Sequence, residues 1–392
     1  MPSSYPLRRL LWLTLALFLS YLTVAMSLPV ISLFVDARLG LGNAAGGLAV
    51  GIAFLSTILT RGLAGRRADA LGGGRVMREG LWIYAAASLV CLASGWGSLG
   101  RGPAFGVLLA GRLVLGVGES LTLVGMISWG IGLAGQAQAG RFLALMGAGM
   151  YGAFVLGGPL GLAAYQAGGF AATMAGCALA PVVGLAMVAL VPAVAPAARP
   201  RETRFLAVLG RVWRHGGIVG LQGVGFAAIG AFQALLFAAR GWPHAGAGLA
   251  CFGVGFVMLR VAGPRLLERW GARRLVFASL GVEAAGQLLL WTAPAPLPAI
   301  LGSLLTGAGC SMIYPAMGAE VVGLVPVALR GTAMGAFSAF QDVAYGATGP
   351  LAGLAADHFG QPVVFLIGAV AAGLGIGLLA VSYTHLTLPT KA

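Results

Sequence analysis

The chain has 392 residues, 59% of them hydrophobic and only 9% charged, with 24 Lys and Arg against 10 Asp and Glu. A soluble domain carries about 25% charged residues, so a chain this poor in charge cannot wet the surface of a globule of its size, and lipid must be its main solvent. The formal charge of +14 does not mark a nucleic-acid binder, because the arginines stand in short gaps between apolar runs rather than on one polar face.

A helix needs about 20 apolar residues to cross the hydrocarbon layer. Twelve such runs are expected, near 10–34, 44–64, 79–97, 104–133, 141–165, 170–194, 216–239, 245–265, 274–292, 297–325, 331–356 and 361–380. The first follows Arg8 and Arg9 as a secretory signal would, but the equally apolar segments behind it make it an uncleaved first span. With the N-terminus in the cytoplasm, nineteen arginines fall on the inner side and three, Arg38, Arg101 and Arg240, on the outer. Both termini are therefore expected inside. The four cysteines all lie within apolar runs without metal-ligand spacing, so no disulfide, metal or cofactor is expected.

The longest polar stretch, 196–215, divides the chain into an N-terminal bundle (1–195), a cytoplasmic linker and a C-terminal bundle (216–380). The expected fold class is an all-α membrane protein with twelve transmembrane helices in two pseudo-symmetric six-helix bundles. Residues 381–392 contain VSYTHLTLPT, which resembles a translated sequencing adapter, and the only lysine, Lys391. This tail is expected to be an artefact standing in place of the native C-terminus.

The two halves repeat one another. Arg61, Asp69, Gly72 and Arg75 after the second span recur as Arg260, Glu268, Gly271 and Arg274 after the eighth, at a constant offset of 199. Gly111-x4-Gly116-x-Gly118-x-Ser120 recurs as Gly302-x4-Gly307-x-Gly309-x-Ser311. Gly158-Pro159-Leu160 recurs as Gly349-Pro350-Leu351, and both matches share an offset of 191. Ordered matches that include charges argue for an internal duplication.

These residues support a resemblance. Gly65-x3-Asp69-x2-Gly72-x2-Arg75 resembles the signature of the major facilitator superfamily between its second and third helices, with Ala70 and Gly73 where the signature is usually basic. Arg112-x3-Gly116-x-Gly118 is similar to the family's second motif. Gly152-x4-Gly157-Gly158-Pro159-Leu160-Gly161 is similar to the glycine-proline motif of exporters, and the wider phrases resemble a bacterial arabinose-efflux-permease-like, drug-proton antiporter-type subfamily. The resemblance implies a conformational gate of Asp69, Gly65, Gly72, Arg75, Arg61, Glu268 and Arg274, in which Asp69 faces the positive N-terminus of the eleventh span. It also gives Gly152, Gly157, Gly158, Pro159 and Gly161 a helix-packing role.

Acids and bases inside a span are functional by default, because each costs about 2.5–3.5 kcal/mol on insertion scales. Arg112 and Glu119 are seven residues apart, close to two turns, and share a face of the fourth span. They are expected to be the proton-coupling pair, with Asp342 as a secondary or substrate-facing site; a structural ion pair is the alternative. Glu283 and Gln287 on the ninth span are read as structural partners. Tyr151, Gln222, Gln233, Gln341 and Tyr345 are expected to line a substrate cavity, with interhelical hydrogen bonds as the competing reading for the two glutamines of the seventh span.

No G-x4-G-K-[ST] loop and no catalytic triad is present. The function expected is a proton-coupled secondary transporter, not an enzyme, in a bacterial inner membrane. It is read as a monomeric exporter of small sugar-like or drug-like molecules, with only lipid, protons and solute as partners. The alternatives are a proton symporter importing a sugar or organic acid and, from another class, a membrane sensor or enzyme without transport.

Overall fold

The computed structural model describes residues 5–135, 138–192, 194, 205–326 and 329–384, all helices and short connections without a strand among them. Ten helical elements follow in order: α1 (Tyr5–Ala37), α2 (Asn43–Leu71), α3 (Gly73–Ala93), α4 (Arg101–Ala134), α5 (Ala139–Ala189), α6 (Phe205–Ala239), α7 (Ala245–Thr292), α8 (Pro296–Gly323), α9 (Arg330–Phe359) and α10 (Val363–Thr384). Among the described residues nine of the ten are long and apolar enough to cross a membrane; α9, with Gln341 and Asp342 near its middle, falls outside that set.

The count differs from the twelve expected, for a local reason. The fifth and sixth runs join in the 51-residue α5, and the eighth and ninth in the 48-residue α7. Each is broken by backbone only: Gly168 and Gly169 (φ 67°) in α5, and Gly271 (φ 75°, ψ 164°) in α7. Gly72, which alone separates α2 from α3, has nearly the same conformation as Gly271 (φ 85°, ψ 144°). Positive φ is cheap only for glycine, so the repeated glycine of the two halves makes the same one-residue reversal in each.

Two other boundaries move. The expected linker is helical from Phe205 onward, and its residues 195–204 lie outside those described. In the expected tail α10 continues through Thr384, while 385–392 lie outside the described residues.

α1 packs on α5 and α3 on α4, α7 packs on α8, and α6 on α9 and α10. These two sets meet through α2 against α9, α5 against α7 and α1 against α6. The outward surface is apolar, with Leu59, Val261 and Leu351 each more than half exposed, as a lipid-facing wall requires.

Candidate functional site

Where the two sets meet, the helices bury a small number of charged groups. α4 carries Arg112 and Glu119, 0% and 6% exposed. They do not bond each other. Arg112 Nε donates to Ala49 O at 2.9 Å and Nη2 to Val50 O at 3.0 Å, both on α2, while Nη1 donates to Ser27 Oγ on α1 at 3.3 Å. A helical carbonyl keeps a second lone pair after its own helix bond, so three oxygens answer the guanidinium and Arg112 ties α1, α2 and α4 together. Glu119 accepts from Tyr21 OH at 3.2 Å on Oε1 and from Thr57 Oγ1 at 3.5 Å on Oε2. The two residues expected to work as a pair thus sit in separate hydrogen-bond sets.

The ion pair at this interface is a different one. Arg61 Nη2 on α2 lies 2.8 Å from Asp342 Oδ2 on α9. Sequence reasoning placed Arg61 at a gate with Asp69 and left Asp342 without a base on its own helix. The partner comes from the other half of the chain. A usable signal was present: two charges of opposite sign, each in an apolar run without an evident mate, are cheapest when they meet. The charges of both Asp342 and Arg61 reach Glu119, which links the two centres electrostatically.

Next to Asp342 along α9, Gln341 and Tyr345 help to line a narrow cavity of about 10 Å³ that residues of both halves enclose. It brings together four of the expected cavity residues, Tyr151, Gln222, Gln341 and Tyr345, with Phe226, Phe252, Phe256, Cys310 and Tyr314. Gln341 Nε2 donates to Gln222 Oε1 at 3.3 Å. Tyr151 stacks on Phe256 with centroids 3.5 Å apart, and Phe226 stands 4.9 Å from Tyr345. Gln233 lies elsewhere; its Nε2 donates to Ser303 Oγ at 2.6 Å in the α6–α8 contact. The aromatic residues other than Tyr151 and Tyr345 were missed, because a Phe in an apolar helix carries no signal in sequence that separates cavity wall from core.

Behind the wall Glu283 is fully buried beside the Cys310 thiol, with no N–H or O–H donor to either oxygen among the described residues. Gln287 donates to Gly225 O at 3.1 Å. Glu283, read as a structural partner, thus lies against a thiol, a weak donor.

The remaining expected residues line the two ends. At the end holding Gly72 and Gly271, Arg75 and Arg67 both bind Glu79 (3.2 and 2.6 Å), an acid sequence reasoning overlooked, and Asp69 is half-buried. Glu268 and Arg274 are exposed, and Gly65 has open space beside it. His215 Nε2 lies 3.0 Å from Glu320 Oε2. At the opposite end the halves close on one another. Asp357 Oδ1 accepts from Asn43 N (2.6 Å) and Asn43 Nδ2 (2.9 Å), and Oδ2 from Ala44 N (3.1 Å). This exposed carboxylate caps the start of α2, which has no side-chain cap of its own. Slight burial pushes its pKa up, but the hydrogen bonds from Ala44 and Asn43 and the nearby His358 outweigh it and hold Asp357 below the usual aspartate range.

The glycine-proline stretch packs as expected of small residues. Gly157 and Gly161 lie against Ala25 and Met26 of α1, Gly158 faces Leu249 of α7, and Pro159 meets Gly246. Gly152 is looser, with Phe18 4.0 Å from the place of a Cβ.

The sequence profile of the Major Facilitator Superfamily matches residues 13–239 and 217–392. Among curated proteins, an uncharacterized MFS-type transporter of Salmonella typhimurium is 41% identical over 364 residues, covering 93% of this chain and 94% of that protein. One from Burkholderia mallei is 40% identical over 377 residues, covering 93% and 90%. Among solved structures, a point mutant of the nucleoside transporter NupG superposes with a TM-score of 0.80 at 14% identity, covering 96% of this chain and 100% of that one. A D-xylose-proton symporter gives 0.78 at 18% identity, covering 96% and 97%. Profile, relatives and fold agree that this chain, a multi-pass membrane protein and not an enzyme, belongs to the Major Facilitator Superfamily.

Proposed function

We propose that the protein is a secondary transporter that moves a small organic solute by alternating access, driven by protons. Counting α5 and α7 as two spans each across their glycine breaks gives two six-span halves, 1–195 and 216–380, joined by the linker. The arginine bias puts the end with Gly72 and Gly271 in the cytoplasm of a bacterial inner membrane. The opposite end is closed by Asp357 and by the α2–α9 contact, which supports the reading of a monomer closed on its outer side. A cavity of about 10 Å³ has room for about one water and is far below the roughly 300–1,000 Å³ of ligand sites, so the halves part to admit solute.

The observation that carries the reading is the Arg61–Asp342 pair, buried between halves beside that cavity. Losing one charge of this pair costs about 1–3 kcal/mol, less than for a fully enclosed pair because Arg61 is a quarter exposed, and a proton on Asp342 loosens the tie between the halves. Arg61 is then free to turn toward Glu119, whose field it already shares. Proton transfer at Asp342 and Glu119 thereby biases the equilibrium between the two access states. Arg112 keeps the N-terminal half rigid rather than carrying the proton. Asp69 serves the gate when the cytoplasmic side closes onto the start of α9.

Import by proton symport is favoured over export. The polar, aromatic-lined cavity suits a hydroxylated solute, and a proton symporter for D-xylose shares the fold. The exporter reading rests on the resemblance to an efflux-permease-like subfamily and on the glycine-proline stretch, whose residues are already explained by packing on α1 and α7. Right-side-out vesicles with an acidic exterior, offered a panel of labelled sugars, nucleosides and organic acids, should accumulate substrate. Glu119→Gln, whose amide oxygen still accepts from Tyr21, should lose proton-driven uptake and keep energy-independent exchange. Accumulation only in everted vesicles with an acidic interior would make the protein an exporter. Unchanged uptake by the variant would remove Glu119 from coupling.

A further inference from the structure

The internal duplication places a second arginine where Arg61 has its acid, and that second arginine has none. The offset of 199 relates Arg61 of α2 to Arg260 of α7, and the offset of 191 relates Asp342 of α9 to Tyr151 of α5. The structure keeps both halves of this relation. Arg61 lies against Asp342, and Arg260 lies over the rings of Phe256 (4.9 Å to the centroid) and Tyr151 (5.8 Å). The carboxylate of one contact is a phenol in the other.

Among the described residues no acid lies within ion-pair distance of Arg260, and its buried Nε has no hydrogen-bond partner. The polar groups that its charge reaches are Tyr151 and Tyr314, both in the cavity wall. A ring face attracts a guanidinium, but it offers no lone pairs to the five donors of the fork. A fork of this kind is matched in geometry by a carboxylate, which accepts two parallel bonds. The rings beside it, Tyr151 on Phe256 with Phe226 and Tyr345 beyond, provide a flat apolar bed, and the Gln222–Gln341 pair provides neutral hydrogen-bonding groups.

We propose that Arg260 is the anion subsite of the cavity and that the transported solute is a small organic carboxylate, whose charge takes the place that Asp342 fills in the pseudo-symmetric contact. The proposal rests on the transport reading only in naming the class of solute; binding at Arg260 is measurable without transport.

The test uses the full chain in lipid nanodiscs, with acetate and benzoate as probes, benzamide as the neutral counterpart, and protection of arginine from phenylglyoxal as a second readout. Both carboxylates are expected to bind saturably and to slow modification of one arginine that is missing from Arg260→Gln. Benzamide should bind at least tenfold more weakly than benzoate. Arg260→Gln should lose at least tenfold in benzoate affinity, with Arg260→Lys between the two. Tyr151→Asp, which rebuilds the acid of the other contact, should also exclude benzoate while raising or keeping the melting temperature. Equal binding of benzoate and benzamide, unchanged affinity in Arg260→Gln, or no binding of either carboxylate would overturn the proposal. Proton-driven uptake of a neutral solute such as D-xylose alongside any of those results would overturn it while leaving the transport reading intact.

Discussion

Asp342 and Arg61 come from helices more than 250 positions apart in the chain, and each is the other's ion-pair partner among the described residues. Removing one partner leaves a buried charge, whereas removing both leaves none. Arg61→Gln and Asp342→Asn should each destabilise the protein by ~1–3 kcal/mol, less than a fully enclosed pair because the Arg61 side chain is a quarter exposed. The double variant should cost less than their sum, as thermal unfolding in detergent will measure; strictly additive losses would mean that the pair is not coupled. Asp357 acts at the other end of the same two helices. Its native pKa is depressed, so its cap on α2 is complete above the ordinary aspartate value of 3.8 and is lost only as pH falls through the lower native value. The sealed end should therefore be insensitive to pH from 5 to 8, while Asp357→Asn opens it throughout that range. Labelling rates of a cysteine placed at Leu41 would report both; a rate that rises between pH 8 and 5 in the parent protein would refute the first.

At the scale of elements, the α2–α9 crossing is the contact on which closure depends. Gly47 and Gly349 present their main chains to one another, Gly51 meets Gly346, and Gly353 meets Asn43. A Cβ at Gly349 would enter the carbonyl of Gly47, and backbone cannot yield as a flexible side chain can. Gly349→Val should leave each half folded but hold the halves apart at the sealed end, with transport reduced at least tenfold and labelling at Leu41 raised; wild-type values of both would show that α9 slides past the clash. The helices themselves were legible in the sequence, because the need for ~20 apolar residues fixes existence and order. The reversals at Gly168–Gly169 and Gly271 fall in the expected gaps between runs; what hydropathy did not show is that helix continues up to these glycines on both sides, so no extended loop separates the spans. The candidate site was half legible. Tyr151, Gln222, Gln341 and Tyr345 stood out as polar groups in apolar runs, but the pairing of Arg61 with Asp342 depends on how α2 and α9 cross, which hydropathy does not encode. For a related reason, that Arg112 and Glu119 share a face of one helix says nothing about the carbonyls of α2 that claim the guanidinium.

For the whole molecule, the repeat read in the sequence reappears in the matched turns at Gly72 and Gly271, yet the charged groups differ between the repeated segments. Glu119 of α4 corresponds to Cys310 of α8, and Arg112 to Ser303, so the N-terminal half holds Arg61, Arg112 and Glu119, and the C-terminal half holds Asp342, Arg260 and most of the aromatic wall. Rigid halves that differ this much share only their seam. That seam at the sealed end is largely main chain against main chain, Gly47 on Gly349 and Asn43 on Gly353, with Asp357 capping backbone N–H groups. Such a joint asks little of side chains beyond Asn43, Asp357 and the Arg61–Asp342 pair, which makes halves that keep these residues exchangeable parts. A recombinant chain joining residues 1–195 here to the C-terminal half of the Salmonella typhimurium relative should assemble and seal wherever the junction glycines are kept, with its solute preference following the donor of the C-terminal half. Misassembly of such chimeras, judged by membrane yield and labelling at Leu41, would mean that the halves recognise each other through further side chains.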